Sequence, residues 1–157
     1  MASPSFFQWL ESLMMEDLGK KLIWTYQQAT GKVLDPNGAV IGYAYSGKGH
    51  YKNDPEAQAI HDQGPIPEGY YTIDSPRDTV THGPFVLPLL PFADNQMFGR
   101  SGFLIHGDSV VHPGTASEGC IIAARYIRED IAKSPVKVLA VVSGVFVMKG
   151  DPPEVTA

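Results

Sequence analysis

The sequence predicts a single, mainly β domain, and three observations favour this fold class. The chain has 157 residues, a length that suits one compact domain and leaves little room for a second. Its 16 glycines and 13 prolines favour many short elements joined by turns. With 43% hydrophobic and 18% charged residues, its composition is typical of a globular protein with a buried core.

The domain organisation follows from changes in residue pattern along the chain. We expect an N-terminal extension over residues 1–20, one folded domain over residues 21–150 and a loose tail over residues 151–157. In the extension, apolar residues recur at helical spacing from Phe6 to Met14, which predicts a short amphipathic helix. This helix either docks on the domain, is an appended extension, or binds a component of a secretion system.

The first half of the domain contains strand and turn signals. Leu22 to Gln27 and Ala39 to Tyr45 have the composition of strands. Between them, Asp35-Pro36-Asn37-Gly38 is a strong turn sequence, so we expect the two strands to form a hairpin. Ser46 to Gln63 is polar without a clear period, which predicts a long loop.

Further elements follow in the second half. Three short strands are predicted, at Tyr70 to Ile73, Pro84 to Leu87 and Phe103 to His106. From Cys120 the period becomes helical, with one apolar face and one basic face. The apolar face contains Cys120, Ala124, Ile127 and Ile131, and the basic face contains Arg125, Arg128 and Lys133. Two strands, Val136 to Val142 and Val145 to Met148, are expected to close the domain.

Charge and hydropathy exclude several classes of partner. The net charge is −5 and no basic run is present, so we expect no nucleic-acid partner. No apolar run approaches the roughly 20 residues of a membrane-spanning helix. Met1 to Leu10 lacks the basic start of a Sec signal, which predicts synthesis in the cytoplasm without that signal. The five histidines and one cysteine show no close metal-ligand spacing, so we expect no metal and no cofactor.

The single cysteine, Cys120, excludes an internal disulfide and is either a small buried residue or a reactive thiol. It stands at the first turn of the predicted helix, where backbone N–H groups and the helix dipole would lower the pKa of the thiol. Gly119 permits close approach of a substrate, and the N–H groups of Gly119 and Cys120 can stabilise an oxyanion. Ser117 is expected to cap the helix and hold the loop in shape.

A cysteine nucleophile needs a base that a third group orients. His106 ends a predicted strand and precedes Gly107, which presents its imidazole beside a loop. Asp108 or a backbone carbonyl can fix the tautomer of this ring. His112 lies in the same loop, but we favour His106 because only His106 has the strand and glycine context.

One pattern in this chain resembles the active-site signature of the L,D-transpeptidase family: His106-Gly107, a loop, and then Ser117-x-Gly119-Cys120-Ile. The upstream segments 45–49 (Tyr-Ser-Gly-Lys-Gly) and 65–70 (Pro-Ile-Pro-Glu-Gly-Tyr) are similar to that family's glycine segment and strand entry. Two segments, Gly-Pro-Ile-Pro at 64–67 and Asn-Asp-Pro at 53–55, most resemble the type VI secretion effectors of that family. The resemblance covers about residues 24–142.

The resemblance implies a β-sandwich-like catalytic domain with a few short peripheral helices and a thiol acyl-enzyme mechanism. It implies Cys120 as nucleophile, His106 as base, and Ser117 and Gly119 as loop support. It also implies a stem peptide containing meso-diaminopimelate as substrate. The chain departs from the family pattern at Ile122, where housekeeping members carry a substrate-holding arginine. The residues expected to contact substrate are Tyr45, Ser46, Gly47, His50, and Arg100 or Arg125 in place of that arginine.

The function that this resemblance implies is a secreted antibacterial effector that acts in the periplasm of target bacteria. It would hydrolyse tetrapeptide stems of peptidoglycan or exchange their terminal D-alanine, and a cognate immunity protein would be its partner. Two alternatives remain open at this point: a housekeeping enzyme that forms cross-links, and a catalytically inactive wall-binding module.

Overall fold

The computed structural model describes residues 23–145, and within that range it contains ten strands and one α-helix. The strands are β1 Trp24–Gln27, β2 Lys32–Leu34, β3 Val40–Tyr43, β4 Tyr45–Ser46, β5 Gly69–Ile73, β6 Arg77–Thr79, β7 Gly83–Pro91, β8 Leu104–His106, β9 Ile121–Ile122 and β10 Val138–Val142. The helix, α1, spans Arg125–Lys133. The predicted mainly β fold is confirmed.

The strands form one large mixed sheet in the order β3-β2-β1-β10-β5-β7-β8-β9-β4, and β6 pairs with β7 outside this path. The long strand β7 links the two parts of the sheet, because its end pairs with β5 and its middle pairs with β8. Two pairs are parallel, β1 with β10 and β8 with β9. The second of these pairs positions the site described below.

The predicted hairpin of two strands is wrong, because an additional strand lies between them. Gly31, with φ of 77°, reverses the chain after β1 and begins β2, which pairs with both β1 and β3. The turn that follows β2 is the predicted one. Its Asp35 carboxylate accepts hydrogen bonds from the N–H groups of Asn37 and Ala39, both at 2.9 Å.

The predicted loop from Ser46 to Gln63 contains two 3-10 turns, Gly49–Tyr51 and Pro55–Ala57. Strands β5 and β8 match their predicted positions, whereas β7 extends further than predicted at its carboxyl end. The short strand β6 was not predicted, because its polar sequence lacks an apolar alternation.

The helix after Cys120 begins later than its apolar spacing predicts. Ile121 and Ile122 form β9, which pairs with β4 on one side and β8 on the other. The ladder continues through Ala123, whose N–H donates to the carbonyl of His106 at 2.9 Å. Two consecutive β-branched residues fit a strand that is buried between neighbours, so the helix forms only from Arg125 onward.

The hydrophobic core lies between the sheet and α1. Ile127 and Ile131, on one face of the helix, are both 1% exposed and belong to the same cluster as Ile105 and Ile121 of the sheet. Burying a side chain of this size contributes roughly 1.5–3 kcal/mol to stability. The helix is therefore fixed against the two strands that lead into the site.

Three predictions fall wholly or mainly outside the described residues: the amphipathic extension over residues 1–20, the strand from Val145 to Met148, and the tail over residues 151–157. No helix within residues 23–145 is both long and apolar enough to cross a membrane.

Candidate active site

An open cleft of about 1350 Å³ lies beside the ends of β8 and β9, and both Cys120 and His106 line it. Other parts of its wall come from the turn between β6 and β7, the 107–119 loop and the first turns of α1. Pockets for drug-sized ligands usually measure about 300–1,000 Å³. This cleft therefore has room for a peptide of several residues.

The parallel register of β8 and β9 determines where the two side chains point. Ile105 lies opposite Ile121, and both enter the core. Successive residues of a strand face opposite sides of the sheet, so Cys120 and His106 share the other face, toward the cleft. They are one strand and two residues apart, which corresponds to roughly 8 Å between their Cα atoms.

The His106 ring is held by its neighbour in the chain. The ring is 4% exposed, and its Nδ1 lies 2.9 Å from the carbonyl oxygen of Gly107. Because a carbonyl only accepts, Nδ1 carries the proton and Nε2 is the free acceptor. The sequence left open whether Asp108 or a backbone carbonyl fixes the tautomer of this ring. The carbonyl of Gly107 has that role.

Asp108 instead organises the 107–119 loop. Its carboxylate accepts a hydrogen bond from the Tyr45 hydroxyl at 2.6 Å and from the N–H of Gly114 at 3.0 Å. The same hydroxyl accepts from the N–H of Ala116 at 3.0 Å. Burial and the bond to Asp108 raise the pKa of Tyr45 to about 12, so the hydroxyl stays protonated and donates.

The expected low pKa of the cysteine is wrong. Burial raises the pKa of Cys120 to about 11, against opposing effects of a hydrogen bond from the Leu104 backbone and the charge of Arg100. The expectation required a helix N-terminus, but Cys120 precedes a strand. Burial also lowers the pKa of His106. Near neutral pH both groups are therefore uncharged, and the thiol needs a base to become a nucleophile.

We expect alkylation of Cys120 by iodoacetamide to increase about tenfold for each pH unit between about pH 7 and pH 9.5. Only the thiolate reacts, and a pKa raised to about 11 keeps the thiol protonated throughout this range. Mass spectrometry of the alkylated chain measures the rate, and its single cysteine makes the assignment unambiguous. The urea-unfolded protein is the control, because its cysteine should titrate near about 8.5. A rate that is already constant at neutral pH would contradict the raised pKa.

Ser117 does not cap the helix; it shapes the loop that precedes Cys120. Its buried hydroxyl donates to the carbonyl of Cys120 at 2.6 Å and accepts from the N–H groups of Gly47 and Gly119 at 2.9 and 3.0 Å. The N–H of Gly119 is therefore engaged in holding the loop. Of the two expected oxyanion donors, the N–H of Cys120 is the one that Ser117 leaves available.

Gly119 is required by its surroundings. Its φ is 142°, and a Cβ at this position would lie 2.5 Å from Nη2 of Arg100. Arg100 is 7% exposed, and its two terminal nitrogens donate to four backbone carbonyls, those of Gln58, Gly64, Pro65 and Glu118. Arg100 thus ties the 58–65 segment to the cysteine loop, and these bonds occupy the nitrogens expected to hold substrate.

The other residues expected to contact substrate separate into two groups. Tyr45 and Arg125 line the cleft, although Arg125 is exposed and binds Glu129 at 3.0 Å. Ser46, Gly47 and His50 are not part of the cleft wall. The Ser46 hydroxyl is buried and supports the cysteine loop by donating to the carbonyl of Gly119 at 2.9 Å.

His82 and Arg128 are among the cleft-lining residues that the sequence reasoning missed. His82, in the turn between β6 and β7, stands with its ring centroid 4.8 Å from that of His106. Arg128 was assigned to a face of the helix other than the apolar one, and it is 7% exposed and lines the cleft. Its burial depends on the carbonyls of Ala123, Pro84 and Phe85, contacts that helical spacing does not reveal. No sequence signal connects His82 to the site.

The site contains no apparent metal-binding cluster. Within residues 23–145, no group of three or more His, Cys, Asp or Glu side chains is arranged to hold a metal ion.

Comparison with known families places these features in context. The family model of the Tlde1 domain matches residues 41–145, which include the cleft, Cys120 and His106. No protein with a curated description matches the chain. The matched segment is more than half of the 157 residues. The chain belongs to the Tlde1 domain family, the L,D-transpeptidase effector family of type VI secretion systems.

Proposed function

We propose that the protein is a cysteine L,D-carboxypeptidase and exchange enzyme that acts on tetrapeptide stems of peptidoglycan. Membership of a peptidoglycan-acting effector family supports the substrate class. The observation that carries the proposal is that Cys120, just before β9, and His106, at the end of the adjacent parallel strand β8, both face one open cleft. In this reading Cys120 is the nucleophile and His106 the general base.

The reaction begins with two uncharged groups. Nε2 of His106 accepts the thiol proton as the sulfur of Cys120 attacks the carbonyl between the third and fourth residues of the stem. The tetrahedral intermediate places its negative oxygen near the N–H of Cys120. When the intermediate collapses, the imidazolium returns the proton to the leaving amine, and D-alanine departs.

The remaining thioester joins the Cys120 sulfur to the third residue of the stem. Water attacks it to give a tripeptide, or a free D-amino acid attacks it to give an exchanged tetrapeptide. In either case His106 removes a proton from the attacking group, and the sulfur leaves and is protonated again. Both outcomes remove the tetrapeptides that end in D-alanine and serve as donors for cross-linking.

The cellular role follows from the family and the substrate. We propose that the protein is an antibacterial toxin that a type VI system delivers to the periplasm of target bacteria, where peptidoglycan is exposed. A producing cell would need an immunity protein as partner, and residues 1–20 would contact a component of the secretion system.

We expect purified tetrapeptide muropeptides incubated with the protein to lose a mass corresponding to D-alanine. With added D-methionine, a second product should carry D-methionine at the fourth position. The physical reason is that one thioester intermediate can transfer to either nucleophile. Mass spectrometry separates the two products, and a sample pretreated with iodoacetamide is the control.

The same experiment separates the alternatives. New dimeric muropeptides in place of tripeptides would favour a cross-linking enzyme. Binding to peptidoglycan without any change of mass would favour an inactive wall-binding module and would contradict the proposed activity.

A further inference from the structure

Arg128 has an unusual environment for a charged side chain on a helix. It is 7% exposed, and three backbone carbonyls surround its guanidinium. Nε donates to Ala123 at 3.0 Å, and Nη1 donates to Pro84 at 3.0 Å and Phe85 at 2.8 Å. These bonds hold the planar group in one orientation, which is the condition for directional recognition of a ligand.

Among the described residues, no carboxylate contacts the guanidinium of Arg128 directly, although the charge of Glu129 acts on it from further away. Within residues 23–145 the guanidinium forms no ion pair, and Nη2 donates to no acceptor. Arginine is rarely buried without a partner, because removing its charge from water costs free energy. Since three acceptors serve the other nitrogens, Nη2 is the position at which an external anion can bind.

Gly107 keeps Nη2 open to the cleft. A Cβ on Gly107 would lie 2.9 Å from Nη2, closer than ordinary contacts allow. Both Gly107 and Arg128 line the cleft. The absence of a side chain at position 107 therefore leaves the guanidinium uncovered immediately beside His106.

The backbone that holds Arg128 is also specialised. Phe85 has a φ of 55°, a conformation that bulky residues seldom adopt, and its N–H donates to the Asp78 carboxylate at 3.0 Å. The carbonyls of Pro84 and Phe85 both accept from the same nitrogen of Arg128. Uncommon backbone conformations of this kind are concentrated at functional sites.

The position of His106 indicates which part of the substrate would meet Arg128. The base that takes the thiol proton returns it to the leaving amine, so the leaving residue lies on the His106 side of the cleft. In an amino acid the carboxylate is one carbon away from that amine. A cation just beyond His106 is therefore placed to meet the carboxylate of the leaving residue.

We propose that Arg128 binds the free C-terminal carboxylate of the stem peptide, and so restricts cleavage to the terminal residue. This inference rests on the proposed function and specifies its substrate class, namely peptides that end in a free α-carboxylate. Arg128 supplies from the helix a guanidinium that Ile122, two residues after the cysteine, cannot supply. Internal bonds and amidated ends lack the anion that Nη2 binds.

The test compares the tetrapeptide stem with the same peptide carrying a C-terminal amide. We expect the intact protein to cleave the acid with a kcat/KM about 10–100 times higher than that of the amide, a contrast typical of a charge-assisted hydrogen bond. In Arg128→Gln the ratio should fall to near one, mainly through KM for the acid. Mass spectrometry of the tripeptide product reports both rates. The ratio of acid to amide is taken within each variant, so a general loss of activity does not affect it.

Two matched substitutions serve as controls. Arg77→Gln makes the same change at an arginine outside the cleft, which binds Asp74 at 2.9 Å, and should keep the wild-type ratio. Arg128→Lys keeps the charge but loses the planar guanidinium, so it should retain part of the preference for the acid over the amide. Loss of the preference in Arg125→Gln with its retention in Arg128→Gln would overturn the proposal and assign the carboxylate to Arg125.

A binding experiment separates this inference from the proposed reaction. Cys120→Ala, which lacks the nucleophile, should bind the acid about 10–100 times more tightly than the amide in calorimetry, and Cys120→Ala with Arg128→Gln should bind both alike. That result without turnover by the intact protein would overturn the proposed function and leave the carboxylate site standing. Equal cleavage of acid and amide by the intact protein would overturn the site and leave the function standing. The intact-protein comparison needs no variant, so a failure of Arg128→Gln to fold does not affect it.

Discussion

The Cys120→Ala variant is expected to lose hydrolysis and exchange of stem peptides by about four orders of magnitude or more. Without the sulfur no thioester can form, and water has no other activated route to the peptide bond. Mass spectrometry of muropeptide products measures the loss. Fusion of the chain to a Sec signal provides a cellular version, in which the parent lyses a sensitive diaminopimelate-type bacterium and Cys120→Ala does not.

The fold of this variant should remain intact. Cys120 is only partly buried and forms no disulfide, so its removal deletes a single sulfur beside an open cleft. We expect the thermal midpoint to change by no more than about 4 °C, which corresponds to roughly 1 kcal/mol for a chain of this size. A variant that unfolds outright would contradict the catalytic reading and indicate a structural cysteine. Equal toxicity of parent and variant would mean that the harm does not come from acyl transfer.

His106→Ala should lower kcat/KM by about two to four orders of magnitude. The Cys120 thiol, with its pKa raised to about 11, depends on a base, and Nε2 of His106 is the acceptor that the bond to Gly107 leaves free. Steady-state cleavage of the tetrapeptide stem measures the effect. The matched control is His112→Ala, because His112 is exposed on the same loop and should be replaceable with most of the activity retained.

The pH profile gives the same assignment a second readout. Burial lowers the pKa of His106, so protonation of the base should reduce kcat/KM only below about pH 6.5, the ordinary value for histidine. His82→Ala, which removes the neighbouring ring, should leave most of the activity. Equal losses in His82→Ala and His106→Ala, or in His112→Ala and His106→Ala, would contradict the assignment of His106 as the base.

How much of the fold could be predicted depended on whether local signals decided each element. The turn at Asp35 and the strand at Tyr70 carry strong local chemistry, and both form where predicted. The start of the helix has no such local signal. Ile121 and Ile122 fit a helical period, but hydrogen bonds from β4 and β8 make them a strand, and a single sequence does not reveal those partners.

The same distinction explains the site. The motif predicted that Cys120 and His106 would share a cleft because both stand beside glycines in a compact signature. It gave no indication of His82, which reaches the His106 ring only because β6 and β7 pair. Arg128 was misassigned because its guanidinium binds the carbonyls of Pro84 and Phe85, and spacing along the helix does not reveal those distant partners.

The parallel ladder between β8 and β9 has a consequence for how such proteins can diversify. The spacing of Cys120 and His106 is a property of the strand register and not of the length of the connection between them. The outer part of that connection is exposed, with Val110 at 93% and Val111 at 76%. Insertions and substitutions there would leave the paired side chains where the sheet holds them. This exposed part of the loop can therefore vary in length and sequence beside chemistry that stays fixed.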